Sequence, residues 1–259
     1  MASVDLKKSL VPDLTQRSRP LKFHERTEMV LRPEENVILS ELEKFFNFTQ
    51  TNKLVINQKK CFVMKFSRAK KYDFPPEITI GGSDILEVKK VHRILGIMVQ
   101  DDLKWQTQCE EMVKKATSTT WALRRMKAMG VPEATMVDYW KSEGRVMLEY
   151  GCPVWHSGLT SAQSHSLDRA QRVAMAAITG RWEPSHTRQL AELGLERLSA
   201  RRTRICKTFS QRTATNSRHM DMFTPVTSAR RIGTYREIFC RTDTYYKSAL
   251  PYLTRLLNQ

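Results

Sequence analysis

Residues 105–126 read WQTQCEEMVKKATSTTWALRRM, and the spacing inside that string decides the architecture. Trp105, Cys109, Met112, Ala116, Thr119, Leu123 and Met126 step by four, three, four, three, four and three. That rhythm marks one buried face of a long helix. Lys114 and Arg125 fall roughly opposite the stripe, at about 100° per residue. Gly130 ends this helix. Pro132 and Glu133 open a second, carrying Met136, Tyr139, Trp140, Met147 and Tyr150, and Gly151 closes it. Thr160-Ser161-Ala162-Gln163 is a capping box for a third, running to Thr179 and stopped by Gly180. A short helix near Gln189–Leu193 and an Arg-rich one over Leu198–Thr213 follow. Past Asn216 the periodicity fades, so a loose tail is expected there, apart from Tyr245–Leu257.

Upstream of Trp105 the pattern is different. Pro12, Pro20 and Pro33 break every incipient helix over residues 1–33. From Glu34, Ile38, Leu42, Phe45 and Phe46 recur at helical spacing. Short apolar runs then read as strands: Leu54–Ile56, Cys61–Phe66, and the pair Glu77–Ile80 and Asp84–Val88 around Gly81-Gly82, a hairpin signal. Ile94–Val99 reads as one further strand. The expected fold is therefore α+β: a helix on a small antiparallel sheet, followed by an all-α region. The organisation reads as an irregular segment over 1–33, a helix-and-sheet part over 34–103, a helical part over 104–180, and a basic helical part with a loose tail over 181–259.

Composition narrows the class of partner. The 259 residues carry 43 Lys and Arg against 27 Asp and Glu, a formal charge of +16. Fifteen of those cations, against six carboxylates, lie from Arg181 onward. An excess of that size points to a polyanion, most often nucleic acid, with a solvated basic surface as the bland alternative. With 41% apolar residues the chain can bury a core. No stretch approaches 18 apolar residues, and the start MASVDLKKSL has no hydrophobic segment, so neither a membrane span nor secretion is expected. The expected location is intracellular, nucleus or cytoplasm. Five dispersed cysteines without a Cys-x-x-Cys pair read as reduced thiols and exclude a zinc finger. The six histidines show no metal spacing, and no phosphate-loop or dinucleotide glycine motif is present.

Several strings carry a resemblance. Leu148-Glu149-Tyr150-Gly151-Cys152-Pro153-Val154-Trp155 resembles a signature found downstream of the polymerase core in reverse transcriptases of non-LTR (LINE-like) retrotransposons. Asn57 through Phe66 is similar to that family's fourth palm motif. Leu95-Gly96-Ile97 resembles its primer-grip strand, and Asp102–Trp105 the opening of its thumb. Gly158-Leu159-Thr160, Leu167–Arg172 and Ser248–Tyr252 match in order and spacing. The resemblance implies the end of a palm, a primer grip with Leu95 and Gly96, a helical thumb and a basic connector. It also implies that Lys60 lies near the incoming nucleotide as a general acid toward departing pyrophosphate. A surface Lys at a strand edge is the competing reading.

The implied chemistry needs carboxylates that hold two Mg²⁺ ions. The family carries two of them in Tyr-x-Asp-Asp, yet this chain has no such string and no Tyr before Tyr72. Asp101-Asp102 follows the primer-grip-like strand and reads as a solvated turn into a helix. No metal or other cofactor is therefore expected in this chain, and no polymerase activity alone. The expected partners are RNA and DNA as a template–primer duplex. The oligomeric state is left open. Expected contacts are Lys114, Lys115, Arg124, Arg125 and Lys127 on the first thumb-like helix. Arg201, Arg202 and Arg204, with Lys207 and Arg230-Arg231, are further candidates, and a solvated face is the alternative for both sets. Trp121, Trp140, Trp155 and Trp182 are expected in the core rather than stacked on bases. Glu143-Gly144 stands where the family has bulky apolar residues. A glycine inside a helix costs roughly 0.5–1 kcal/mol against Ala, so a weakened helix is expected there. Two other classes stay open: a host-retained nucleic-acid-binding module, and an unselected relic of a mobile element.

Overall fold

A computed structural model of the chain describes residues 37–57, 60–64, 66, 79–80, 84–216, 218–226 and 234–259. The stretch 1–33, Glu34 and Glu35, the Gly81-Gly82 turn and Arg230-Arg231 lie outside the described residues. The chain divides into two compact units, Met1–Gly96 and Ile97–Gln259.

The first unit is the α+β part. Helix α1 (Val37–Thr51) is followed by short strands: β1 (Phe62–Val63), β2 (Thr79–Ile80), β3 (Asp84–Ile85), β4 (Glu87–Val88) and β5 (Val91–Ile94). β2 and β3 pair antiparallel with Ile80 opposite Asp84, as the double glycine predicts. β1 and β4 pair parallel, Phe62 with Glu87 and Val63 with Val88, where an antiparallel partner was expected. More than twenty residues separate β1 from β4, and a parallel return needs about a dozen or more. Leu86 is buried, and Leu42, Phe46, Ile56, Cys61 and Val63 pack against it.

The second unit begins at β6 (Ile97–Gln100) and is otherwise helical: α2 (Gln106–Ala128), α3 (Glu133–Tyr139), α4 (Arg145–Met147), α5 (Cys152–Trp155), α6 (Ser161–Thr179), α7 (His186–Glu192), α8 (Leu198–Thr215), α9 (Asp243–Tyr246) and α10 (Ala249–Leu257). The predicted stripe is the buried face of α2, from Trp105 through Leu123, with Met126 half-buried. The α6 capping box is complete. Thr160 Oγ1 accepts from Gln163 N at 3.2 Å, and Gln163 Oε1 accepts from Thr160 N at 2.8 Å. Gln163 also donates to Gln106 Oε1 at 3.3 Å, joining the starts of α6 and α2. Gly180 and Lys127 meet at their far ends, so the two helices run side by side in the same direction. One core joins α2, α6, α8 and α10, and Leu253 and Leu256 belong to it, so residues 181–259 share the hydrophobic core of 104–180.

Three expectations need correction here. The strand expected over Ile94–Val99 is interrupted at Leu95 and Gly96, whose φ values of 48° and 86° are both left-handed. Two consecutive left-handed residues are the backbone of a two-residue hairpin turn. The tail after Asn216 is anchored rather than loose where it is described. Phe223 is 2% exposed, Pro225 pairs with Tyr235, and Asn258 bonds both backbone groups of Tyr235 at 3.0 and 2.9 Å.

The third concerns Gly144. The helix expected from Glu133 to Tyr150 passes through one π turn, Trp140–Gly144, before α4. A Cβ built at Gly144 would overlap Cε3 and Cζ3 of Trp140, a residue with 0% exposure. The glycine is therefore what lets the indole lie against the backbone. The wider turn also shifts the register after it, so Met147 emerges 37% exposed, and the helix ends there, three residues short of Tyr150, which lies 53% exposed in the following turn.

Candidate nucleic-acid interface

The cations split into two groups with different fates. On α2, Lys114, Arg124 and Lys127 are exposed, and no carboxylate among the described residues pairs with them. Lys115 Nζ stands 4.0 Å from Glu111, at the limit of an ion pair. The Arg125 guanidinium lies 5.1 Å from the Trp121 ring centroid, a contact that leaves its charge unneutralised. Trp121 is 59% exposed, between Lys114 and Arg124 along the helix.

On α8 the three clustered arginines, Arg201, Arg202 and Arg204, are committed to the fold. Arg201 donates twice to Glu149, Nε to Oε1 at 2.6 Å and Nη2 to Oε2 at 3.0 Å. That carboxylate raises the Arg201 pKa further. Arg145 Nε approaches the same carboxylate at 4.0 Å. Arg204 makes a matching fork to Glu196, at 2.9 Å on both arms. Arg202 is 0% exposed. Its Nε donates to His156 Nδ1 at 3.3 Å, and its guanidinium carbon lies 5.8 Å from the Trp155 ring. Burial lowers its pKa, and the Asp168 carboxylate is the largest opposing influence. Arg202 is therefore out of reach of nucleic acid, contrary to the expectation, and Arg201 and Arg204 are already neutralised. The reason is register. The buried stripe of α8 is Leu198, Arg202, Cys206 and Ser210, one residue every fourth, and Arg202 sits in it.

The segment Leu148–Trp155 is a structural clasp. Leu148, Cys152 and Trp155 have 0% exposure, and the indole N–H of Trp155 donates to Tyr150 O at 2.9 Å. Glu149 fastens α8 from the same segment. Cys152 and Cys206 lie together in this core, where the neighbouring thiol and then burial push the Cys152 pKa up. Burial, reinforced by Arg202, lowers the pKa of His156 to about 4.

Trp140 and Trp155 are core residues, as expected, but Trp182 is 55% exposed and Trp121 is exposed as well. Trp121 had a readable signal: at about 100° per residue it falls with Lys114 and Arg125, opposite the stripe. Trp182 follows α6 in a loop, where no periodicity applies. Arg172 holds that loop, its guanidinium 4.6 Å from the Trp182 ring centroid and its Nη2 donating to Glu183 O and Pro184 O, each at 3.1 Å. Between the ends of α2 and α6 lies a groove of about 540 Å³ lined by Arg124, Lys127, Ala176, Gly180 and Trp182, among others.

The remaining site expectations fall elsewhere. Lys60 is exposed in a turn just before β1, its N–H donating to Asn57 O at 2.9 Å. Leu95 and Gly96 form the turn described above and are both exposed. Asp102 accepts from Lys104 N at 2.9 Å and pairs with its ammonium at 3.2 Å, so it shapes the turn into α2. Among the described residues, no three His, Cys, Asp or Glu side chains gather in a way that could hold a metal ion. No helix among them is long and apolar enough to cross a membrane. Comparison with models of known protein families, with curated proteins and with solved structures finds no match.

Proposed function

We propose that the chain is a nucleic-acid-binding part of a non-LTR retrotransposon reverse transcriptase, comprising the end of the palm, the primer grip, the thumb and a basic connector. In this reading it holds a template–primer duplex in the nucleus or cytoplasm. It does not polymerise alone, because the Tyr-x-Asp-Asp carboxylates that carry Mg²⁺ in that family have no counterpart in the sequence. The motif order supports the family reading. The observation that carries nucleic-acid binding is the set of α2 cations that no carboxylate pairs among the described residues: Lys114 and Arg125 on the side of the exposed Trp121 indole, with Arg124 and Lys127 further round the helix. Cations already neutralised by carboxylates attract phosphate weakly, whereas free ones release counterions from it.

The test is fluorescence anisotropy with a labelled RNA–DNA duplex over a salt series. Four free cations at about −0.9 each give a log–log slope of about −3.6 from α2. Replacing Lys114, Arg124, Arg125 and Lys127 with Ala should remove most of that slope. Arg204→Ala should leave it nearly unchanged, because Glu196 already neutralises that charge. A flat salt response in the parent, or a quadruple variant that binds like the parent, refutes the reading. Primer extension on an RNA template with Mg²⁺ should yield no incorporation.

A further inference from the structure

We infer that the groove between the C-terminal ends of α2 and α6 is a subsite for an unpaired nucleotide of a nucleic-acid strand; the inference rests on the nucleic-acid reading above. Its two kinds of surface match the two halves of a nucleotide. Trp182 offers an aromatic platform, 55% exposed, and the small residues Ala176 and Gly180 line the groove with it. Arg124 and Lys127 line it as well, and no residue lining the groove is acidic. Arg181 also lines it but is tied to Glu192, so the charges available to a phosphate are those of Arg124 and Lys127.

The platform is pre-organised. Arg172 stacks at the ring and bonds the two carbonyls that follow Trp182, which fixes the loop before any ligand arrives. Gly180 ends α6 at a left-handed φ of 77°, a conformation that favours glycine, and the Lys127 side chain lies in ordinary contact range of it.

An aromatic side chain in a groove reads the face of a base, and within a duplex that face is covered by stacking. The occupant is therefore an unpaired base with its flanking phosphate. It belongs to a strand rather than to a free nucleotide because the free cations continue past the groove. From Lys127 and Arg124 at the groove through Arg125 to Lys114 they wind about 140° around α2 over about 20 Å of helix, more than one nucleotide uses.

The experiment compares the full chain with its Trp182→Ala and Trp182→Phe variants by anisotropy on three probes. These are a blunt RNA–DNA duplex, the same duplex with a single-stranded extension, and the extension strand alone. The parent should bind the extended duplex more tightly than the blunt one. Trp182→Ala should weaken binding to the extended duplex and the single strand about fivefold or more, while leaving blunt binding unchanged. Trp182→Phe should retain most of the preference, and a free mononucleotide should not displace the strand. Equal parent affinity for blunt and extended duplexes overturns the subsite, as does a Trp182→Ala variant that binds all probes like the parent. Displacement by a mononucleotide also overturns it, in favour of a small-molecule site. If blunt binding persists without any preference for the extension, only the subsite falls. If no probe binds, the nucleic-acid reading falls with it.

Discussion

Gly144→Ala sets helix propensity against packing, and the structure decides the sign. On propensity alone, Ala in place of a helical Gly stabilises by roughly 0.5–1 kcal/mol. Here the new methyl would overlap the six-membered ring of Trp140, and the Thr119 methyl, 3.1 Å from the same point, closes another side. Trp140 has 0% exposure, so its ring cannot swing into solvent. Overpacking of this kind costs about 1–3 kcal/mol, and more where nothing can give. Because the ring has nowhere to go, the upper part of that range applies, about 2–3 kcal/mol, and subtracting a propensity gain of about 1 kcal/mol leaves a net destabilisation of about 1–2 kcal/mol. For a unit of this size, roughly 2–4 °C per kcal/mol converts that to a Tm lower by about 2–8 °C. The assay is thermal melting followed by near-ultraviolet circular dichroism, which reports on the buried indoles. In a Trp140→Leu background the obstruction is gone, and the same Gly144→Ala change should become neutral or stabilising, a coupling that a double-mutant cycle isolates. An unchanged or higher Tm for Gly144→Ala in the wild-type background would refute the reasoning.

Two further outcomes follow from the polar interior of the second unit. Glu149→Gln strips the carboxylate from a bidentate pair whose acid is 9% exposed and whose Arg201 is 21% exposed. Breaking a half-buried pair of this kind should destabilise by about 2–3 kcal/mol, lowering Tm by roughly 5–10 °C in the same melting assay; a change under about 2 °C would show the clasp to be idle. The His156 pKa lies at about 4 in the fold against 6.5 free, so the fold holds the neutral ring. Stability is therefore full above about pH 6.5 and falls as the pH drops towards 4, by roughly 3 kcal/mol for such a shift. His156→Asn, which keeps an acceptor for Arg202, should flatten the urea midpoint across that window; the same pH slope in the variant would assign the loss to another group.

The amino-acid sequence by itself determined where the long helices α2, α6 and α8 lie and which face of α2 is buried. A stripe repeating every three or four residues has one geometry that covers it, and the Thr160–Gln163 capping box satisfies its end groups within four residues of chain. The switch from strands to helices near Trp105, and with it the α+β class, was legible for the same reason. Local periodicity and local hydrogen bonding need no distant partner. What covers a helix, and from how many sides, is decided elsewhere in the chain. Arg202 reads as one of three clustered surface cations until α5 is placed beside α8, when its four-residue spacing from Leu198 and Cys206 puts it inside. Arg201 and Arg204 look free until Glu149 and Glu196 are brought to them. Trp182, lying in a loop, has no period to read, and only the junction of α2 and α6 makes a groove beside it. Gly144 looked like a defect because propensity scales count a residue's own conformations, while its role is to leave room for the Trp140 ring. Charge and burial are properties of pairs and neighbours, so tertiary structure, which creates the neighbours, decided which cations remain free to meet a phosphate.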